Sequence, residues 1–542
     1  MELMDMIDAL TRPQAYAAVE AAAGATEVEV IQTHISVVFL VGEAVIKLKK
    51  PVRLPFLDYS TLALRRRYCE AEVELNRRLA PDVYRGVVTI TADGDGLRVG
   101  GDGEVVDYAV EMRRLDEAVT LEGWLARDAL PSGAMSAIGR RLAAFHRHAA
   151  RGPEISALAS FDAVAKNCRD NFSQTAELGL EAIPTALLDL LAARTDAALA
   201  AQEATIRGRA ARDVACDCHG DLRLDHVYLF PDRAPPRDLE IIDCIEFNDA
   251  FRYGDPVVDL AFLVMDLEYH GRPTLAVELV DAYFAAAGDP EGAALLPLYT
   301  SYRASVRGKV EAFRMREPEV PAAEREASRR SALRHFLLAL RELSELDDAP
   351  ALLLIAGLPG SGKSTIAKGL AGPAHAPSAA VIRSDVTRKR LAGLDPEDAG
   401  KAAPGAGIYT AEMTQRTYAA CLDQARAHLL RGRPVIVDAN FKADAQRRPF
   451  ADLAAELGVP FALLLCEASE EETLARLAAR RGDASDADAA IFFHARREWE
   501  ALADDLRERA AKIDSSGAIE GNLAAARRAL RAIGFHTPSS QP

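Results

Sequence analysis

No stretch of this sequence is apolar for long enough to cross a membrane. The longest apolar runs, around Ala351–Ala356 and Phe461–Cys466, fall far short of the ~20 residues a spanning helix needs. The N-terminus, Met1-Glu2-Leu3-Met4-Asp5, is acidic and lacks the apolar core of a secretory signal. No CxxC pair occurs among the seven cysteines, Cys69, Cys168, Cys216, Cys218, Cys244, Cys421 and Cys466. A scattered, odd-numbered set of this kind reads as reduced thiols in a reducing compartment. Positive charge is not in excess either: 65 Lys and Arg face 81 Asp and Glu, for a net charge of −16. Such a chain repels nucleic acid and anionic lipid on average, which argues against broad coating of either. There is no internal repeat. These absences predict a cytoplasmic protein that does not engage a membrane.

What is present is ordinary globular composition at unusual length. With 542 residues, 49% apolar and 27% charged, the chain is too long for one core and predicts about three units or two larger ones. Residues 30–50 read as two short strands around the turn Gly42-Glu43. A helix is expected over about Leu62–Leu79, ended by Ala80-Pro81. Val87–Thr91 and Tyr108–Arg113 read as strands, with a glycine-rich turn Asp93–Gly103 between them. Helical periodicity then runs from about Leu121 to Ala211 and again from Pro256 to about Glu345, around a short apolar pair of stretches in Cys216–Phe247. Asp347-Asp348-Ala349-Pro350 is a linker candidate. Beyond it, strands at Leu352–Ala356, Ala380–Ser384, Val435–Ala439 and Phe461–Cys466 alternate with helices, the pattern of a parallel α/β sheet covered on both faces. The tail, residues 536–542, reads as disordered.

Directly after the first of these strands comes Gly357-Leu358-Pro359-Gly360-Ser361-Gly362-Lys363-Ser364-Thr365, which fits GxxxxGK[ST]. Glycines let backbone N–H groups wrap phosphates, and the following helix turns its positive end toward them. Lys363 supplies a charge at the β- and γ-phosphates, and the Ser364 hydroxyl is a ligand for Mg²⁺. Asp438 ends the strand Val435-Ile436-Val437, where a carboxylate orients Mg²⁺. Asp385 ends another strand and is placed to accept the proton of an attacking hydroxyl. Arg476 and Arg480, four apart on one helix face, and the adjacent Arg481 are candidates to clamp phosphates. On these motifs, about 349–535 resembles the small P-loop kinases that phosphorylate a hydroxyl, a group including gluconate kinase, chloramphenicol phosphotransferase, zeta-toxin-like kinases and polynucleotide 5′-kinases. The resemblance implies ATP, Mg²⁺ and an alcohol acceptor, and does not name the acceptor.

A second constellation lies upstream. His219-Gly220-Asp221-Leu222 follows a strand-like segment, and Ile241-Ile242-Asp243 follows one hairpin later. Phosphoryl transfer needs such a pair of acids, one to accept the hydroxyl proton and one to hold Mg²⁺. This part, about Val28–Glu345, resembles the aminoglycoside phosphotransferase and choline kinase group, which has a protein-kinase-like fold. The resemblance makes Asp221 the catalytic base, with His219 beside it in the same motif, and Asp243 the Mg²⁺ ligand. Lys47 takes the place of the nucleotide-phosphate lysine, with Lys49 on the same face. Glu72 is its expected helix partner, with Glu70 and Glu74 competing. One departure stands out: the family's metal-binding Asn, five residues after the Asp, is His226 here. Imidazole suits Mg²⁺ less well than oxygen does. Nor does a glycine-rich loop precede Lys47; Thr33-His34-Ile35-Ser36 occupies that place.

The expected organisation is therefore an α+β kinase-like domain over 1–346 (small lobe about 28–115, helical large lobe about 120–345), a linker 347–350, and a P-loop domain over 351–535. The whole order resembles bacterial fusions of an aminoglycoside phosphotransferase-like domain with an ATP-binding protein. It predicts a two-site phosphotransferase acting on small hydroxyl compounds. Two alternatives remain at this point. The first domain could sense a nucleotide and regulate the second, or the second could be a nucleic-acid 5′-end kinase, against which the sequence pI of about 5.3 argues.

Overall fold

Alternation along one strand, Ala44–Lys49, organises the N-terminal part. In the computed structural model of the chain, residues 2–54, 56–94, 96–179, 183–317, 320–345, 348–372, 379–395, 406–479 and 489–535 are described. Ala44, Ile46 and Leu48 point to one face of a sheet and join a core with Val37, Phe39 and Val41. Val45 points to the other face, toward Cys69, Val73 and Val110. Lys47 and Lys49 have the parity of Val45, so both leave the strand on the helix side. The sheet is antiparallel and six-stranded, in the order 29–32, 36–41, 44–49, 104–113, 84–93, 96–99. The turn expected over Asp93–Gly103 thus contains an edge strand, Gly96–Val99, paired back on the preceding one.

The helix Leu62–Asn76 begins at Thr61, whose hydroxyl accepts the Leu64 N–H at 3.2 Å. Its buried face carries Arg65, Cys69, Glu72, Val73 and Asn76, a polar stripe that burial permits only with partners. Arg65 finds one in Asp107, at 2.8 Å. The opposite face of the sheet is covered by residues 3–22, about which the sequence reading had nothing to say: the helix Leu3–Leu10 and the short turns after it bring Met6, Ile7, Leu10 and Tyr16 onto the sheet. Beyond the sheet the chain is mostly helical. The helices Ala134–His148 and Pro273–Ala287 approach so closely that a Cβ on Gly139 would lie 2.8 Å from the Leu279 carbonyl oxygen.

By contacts the chain divides into two compact units, 1–166 with 201–300, and 167–200 with 301–542. The second unit therefore contains helical segments that precede the linker candidate. Leu190 and Leu340 lie on the turn at Gly432, and the helix Ala322–Glu342 packs on Asp444–Leu457. Asp348, Ala349 and Pro350 are described, whereas Asp347 and the tail 536–542 lie outside the described residues.

The second unit is built on a five-stranded, wholly parallel sheet, in the order 380–383, 435–438, 352–356, 461–467, 510–514. Leu352–Ala356 is central and buried at every position, which is why it reads as an unbroken apolar run. The fifth strand, Ala510–Asp514, was not expected. It is an edge, exposed at Lys512 and Asp514, and its two buried residues leave little apolar signal. Among the described residues no helix is long and apolar enough to cross a membrane.

Two candidate active sites

In the first unit, Lys47 Nζ lies 2.8 Å from Glu72 Oε1 and 2.7 Å from Asp243 Oδ1. Lys49, two residues on, lies 2.7 Å from Glu72 Oε2, is paired with Glu246, and is fully buried. The two lysines that competed in the sequence thus share Glu72, but only Lys47 reaches Asp243. The rival acids do not take part: Glu74 is exposed, and Glu70 pairs with Arg66 on the outside of the helix. Burial works against the charge on both lysines, yet the facing carboxylates outweigh it and hold both well above the usual lysine range. Lys47, in turn, holds Asp243 well below the usual carboxylate range. Asp243 occupies the left-handed region, φ +64°, a conformation that costs a non-glycine residue on the order of 1–3 kcal/mol. The Asp243 N–H donates to the Tyr84 hydroxyl at 3.1 Å and the Cys244 N–H to Asn76 Oδ1 at 2.8 Å, which pin that turn.

Asp221 is held by its neighbours. Asp259, fully buried, accepts the N–H groups of His219 (2.6 Å) and Gly220 (2.8 Å) and faces His146 Nε2 at 3.2 Å. His219 Nε2 meets the Ile242 carbonyl at 2.9 Å, while its Nδ1 accepts the Asp221 N–H at 3.3 Å. This ring ties the Asp221 segment to the Asp243 segment, and burial pulls its pKa down to about 4. Gly220 needs its missing side chain: φ is +90°, and a Cβ would sit 2.9 Å from the Phe251 carbonyl.

His226 stands between the two acids. Its Nδ1 bonds the Asp221 carbonyl oxygen at 2.8 Å, so that nitrogen carries the proton. Its Nε2 lies 3.7 Å from Asp243 Oδ2 and 3.9 Å from Asp225 Oδ1, and Asp225 Oδ1 is buried without a hydrogen bond among the described residues. Where a glycine-rich loop is missing, Thr33 Oγ1 accepts the N–H of Ser36 at 3.0 Å and closes a tight hairpin. Asp259, Tyr84, Asp225 and Glu246 also belong to this site, although no motif in the sequence marks them. A signal for Asp259 existed: it is the single acid in Pro256-Val-Val-Asp-Leu-Ala-Phe-Leu-Val-Met265.

In the second unit, the glycine loop joins the central strand to the helix Lys363–Leu370. Gly357 has φ +148°, and a Cβ there would fall 2.4 Å from the Cys466 carbonyl oxygen. Lys363 Nζ donates to the Leu358 carbonyl at 2.8 Å, across the mouth of the loop. Ser364 Oγ donates to Asp438 Oδ2 at 2.5 Å. Burial raises the pKa of Asp438, against the pull of Lys363 and Ser364. Asp385 sits in the first turn of the helix Ser384–Leu391 and lines the same cleft as Lys363, Ser364 and Asp438. Arg476 bonds Glu472 at 2.6 Å and the Ser515 carbonyl at 2.8 Å through one nitrogen. Its Nη1, 3.5 Å from where a Gly362 Cβ would be, is buried without a hydrogen bond among the described residues, as is Ser361 Oγ. Arg480 and Arg481 lie outside the described residues.

Two matches to family descriptions divide the chain between these sites. Residues 61–296 match a phosphotransferase enzyme family, and residues 352–502 match an AAA domain family. An uncharacterized protein of Mycobacterium tuberculosis is 32% identical over 464 residues, 86% of this chain and 88% of that protein, and one from Mycobacterium bovis matches equally. The chain belongs to the family of these mycobacterial proteins. It is a two-domain phosphotransferase, a kinase-like domain followed by an ATP-binding P-loop kinase domain. Among solved structures, a choline/ethanolamine kinase family protein from Mesorhizobium loti is 16% identical, covering 62% of this chain and 99% of its own, with a TM-score of 0.36. A gluconokinase from Sinorhizobium meliloti is 17% identical, covering 34% and 93%, with a TM-score of 0.25.

Proposed function

We propose that each domain transfers the γ-phosphoryl group of ATP to the hydroxyl of a small molecule, in a Mg²⁺-dependent reaction at its own site. The observation that carries this reading is the same in both units: one place gathers a lysine, a carboxylate beside it, and a second carboxylate free to meet an acceptor. In the P-loop domain these are Lys363, Asp438 and Asp385. In the kinase-like domain they are Lys47, Asp243 and Asp221.

The donor sets suit the reactants. Ser364 Oγ and Asp438 offer hard oxygens, which Mg²⁺ prefers. Among the described residues, Arg476 Nη1 and Ser361 Oγ are buried polar atoms without hydrogen bonds beside the glycine loop, as expected where phosphate oxygens would complete them. Asp243 offers oxygens in the first domain, while His226 Nε2 offers nitrogen. Bound Mg²⁺ would neutralise charge on the phosphate oxygens as the phosphoryl group moves.

In the reaction, the acceptor hydroxyl oxygen bonds to the γ-phosphorus as the bond to the β,γ-bridging oxygen breaks. ADP leaves with that electron pair, and the hydroxyl proton passes to Asp385 or, in the first domain, to Asp221. Lys363 and Lys47 hold the phosphates for this step. Glu72 aims Lys47, and His219 positions the Asp221 segment without exchanging a proton with substrate. A net charge of −16 favours small acceptors over nucleic acid. Seven free, buried cysteines fit a cytoplasmic location. The test is ATP consumption by the full chain against a panel of hydroxyl compounds, in the wild type and in Lys363→Ala; activity unchanged by that substitution in every reaction would overturn the P-loop assignment.

A further inference from the structure

Arg223 stands two residues after Asp221 and leads into the short turn Leu224–His226. Its Nη2 pairs with Asp225. Burial works against its charge, but the carboxylates of Asp221, Asp225, Asp266 and Asp243 outweigh that cost and raise its pKa above the usual arginine range. The segment is pinned on both sides: the Leu224 N–H donates to Asp266 Oδ2 at 3.0 Å, and the Arg223 carbonyl accepts the His226 N–H at 3.2 Å. The guanidinium is not sealed in. Its side chain is 26% exposed, and those of Asp221 and Asp243 are 29% and 45% exposed. A ligand bound at the two acids therefore meets a fixed positive charge beside them.

That charge bears on how many metal ions the site can hold. Transfer with two Mg²⁺ draws an oxygen ligand from the loop residue five positions after the base. Here that residue is His226. Its Nδ1 is committed to the Asp221 carbonyl at 2.8 Å, which leaves one nitrogen, Nε2, 3.7 Å from Asp243 Oδ2 and 3.9 Å from Asp225 Oδ1. His226 and Asp243 can share one ion. A second would have to settle on Asp221 and Asp225, beside a guanidinium already paired with Asp225. Like charges that close repel strongly where the site is partly buried. A tight hairpin at Thr33–Ser36 also replaces the glycine-rich loop that would offer backbone donors to the phosphates, so side-chain cations must carry more of their charge.

We infer that the kinase-like site works with one divalent metal, at Asp243 and His226, and that Arg223 takes the place of a second by binding oxygens of the transferring phosphoryl group. The planar guanidinium fork matches two phosphate oxygens at once, and its charge is greatest help where negative charge gathers during transfer. The step balances as before: the γ-phosphorus bonds to the acceptor oxygen, ADP leaves with the electron pair of the broken bond, and the hydroxyl proton goes to Asp221. Arg223 gains and loses no proton. The inference rests on the proposed phosphotransfer reading of the same site and deepens it.

The experiment is electron paramagnetic resonance on the full chain in the Lys363→Ala background, saturated with Mn²⁺ and a non-hydrolysable ATP analogue, with phosphotransfer rates measured in parallel. Two ions sharing one phosphate group would be spin-coupled, and no coupled pair is expected. A coupled pair that Asp243→Asn removes would overturn the inference. In the rates, Arg223→Gln is expected to lose about 10²-fold or more in kcat and Arg223→Lys less. Low concentrations of guanidinium ion, or excess Mg²⁺, should recover part of the Arg223→Gln loss and leave the parent rate unchanged. A merely structural arginine predicts a lower melting temperature with no such rescue, and that outcome, like a full rate in Arg223→Gln, would contradict the role. Should Arg223→Gln not fold, the free-Mg²⁺ dependence of the parent decides: its rate is expected to level off once ATP is fully complexed, whereas a site needing a second ion keeps gaining. Absence of turnover with every acceptor would sink the phosphotransfer reading of this domain, and the Mn²⁺ spectrum would still decide between one ion and two.

Discussion

Lys47 Nζ and Asp243 Oδ1 meet at 2.7 Å across 196 residues of chain, and Glu72 lies 2.8 Å away on the other side of the same ammonium. Lys49 shares Glu72 but turns into the core. The two lysines should therefore fail differently. With Lys363→Ala silencing the P-loop site, Lys47→Met is expected to cut the remaining phosphotransfer about 10²-fold or more, the scale of a lost charge at a transferring phosphate, with only modest loss of stability. Lys49→Met leaves Glu72 and Glu246 short of a buried partner and is expected to cost about 3–5 kcal/mol. Thermal melts and rates on the two variants check this, and an unstable Lys47→Met beside an intact Lys49→Met would reverse the assignment.

Much of this was legible in the sequence, for physical reasons. The strands of the parallel sheet are buried on both faces and so read as continuous apolar runs, and the glycine loop between strand and helix admits few other uses. Asp243 stood out as the acid that ends a short apolar segment one hairpin after His219-Gly220-Asp221-Leu222, whereas Lys47 was placed by the resemblance to the kinase-like group. What stayed hidden depends on tertiary contact. The sequence could not say which of Lys47 and Lys49 faces Asp243, since both have the same parity. It could not place Arg223 among the carboxylates of Asp221, Asp225, Asp266 and Asp243. Nor could helical periodicity in 167–200 and 301–345 reveal which unit those helices join, because an amphipathic stripe does not name its partner.

His219 gives a pH signature. Its folded pKa, about 4, is below the ~6.5 of an unfolded histidine. Between those values the unfolded chain binds a proton that the folded chain does not, so stability falls as pH drops from about 6.5 to 4, by at most about 1.4 kcal/mol per pH unit. Denaturant titrations of the wild type and His219→Asn across that window should show a shallower slope in the variant. Equal slopes would contradict the neutral, fully bonded ring.

His226 should govern metal choice in the first domain. Its Nε2 faces Asp243 and Asp225, and imidazole favours Mn²⁺ or Co²⁺ over Mg²⁺ relative to an amide oxygen. His226→Asn, in the Lys363→Ala background, is expected to raise the Mg²⁺-to-Mn²⁺ activity ratio several-fold. Direct Mn²⁺ titration by electron paramagnetic resonance should show weaker binding and loss of nitrogen coupling. An unchanged spectrum and ratio would remove His226 from the metal site.

Fragment boundaries should follow the contacts in the second unit. Leu340 lies on Gly432, Arg334 beside Gly458, and the helix Ala322–Glu342 on Asp444–Leu457. A fragment 301–542 is expected to melt at a higher temperature than 347–542, since cutting at 347 exposes that apolar contact. Equal melting temperatures would restore the boundary at the linker candidate and remove the helix from the domain.

The central claim is that both domains turn over ATP. The most direct measurement is the initial rate of ATP consumption, against one broad panel of hydroxyl acceptors, by the wild type, Lys363→Ala, Asp221→Asn and the double variant. The account predicts that each single variant loses a different set of acceptors by about 10²-fold or more and keeps the rest, and that the double variant loses all. If Lys363→Ala alone abolishes every reaction while the protein still binds ATP through its first domain, that domain is a nucleotide sensor and the two-site account is contradicted.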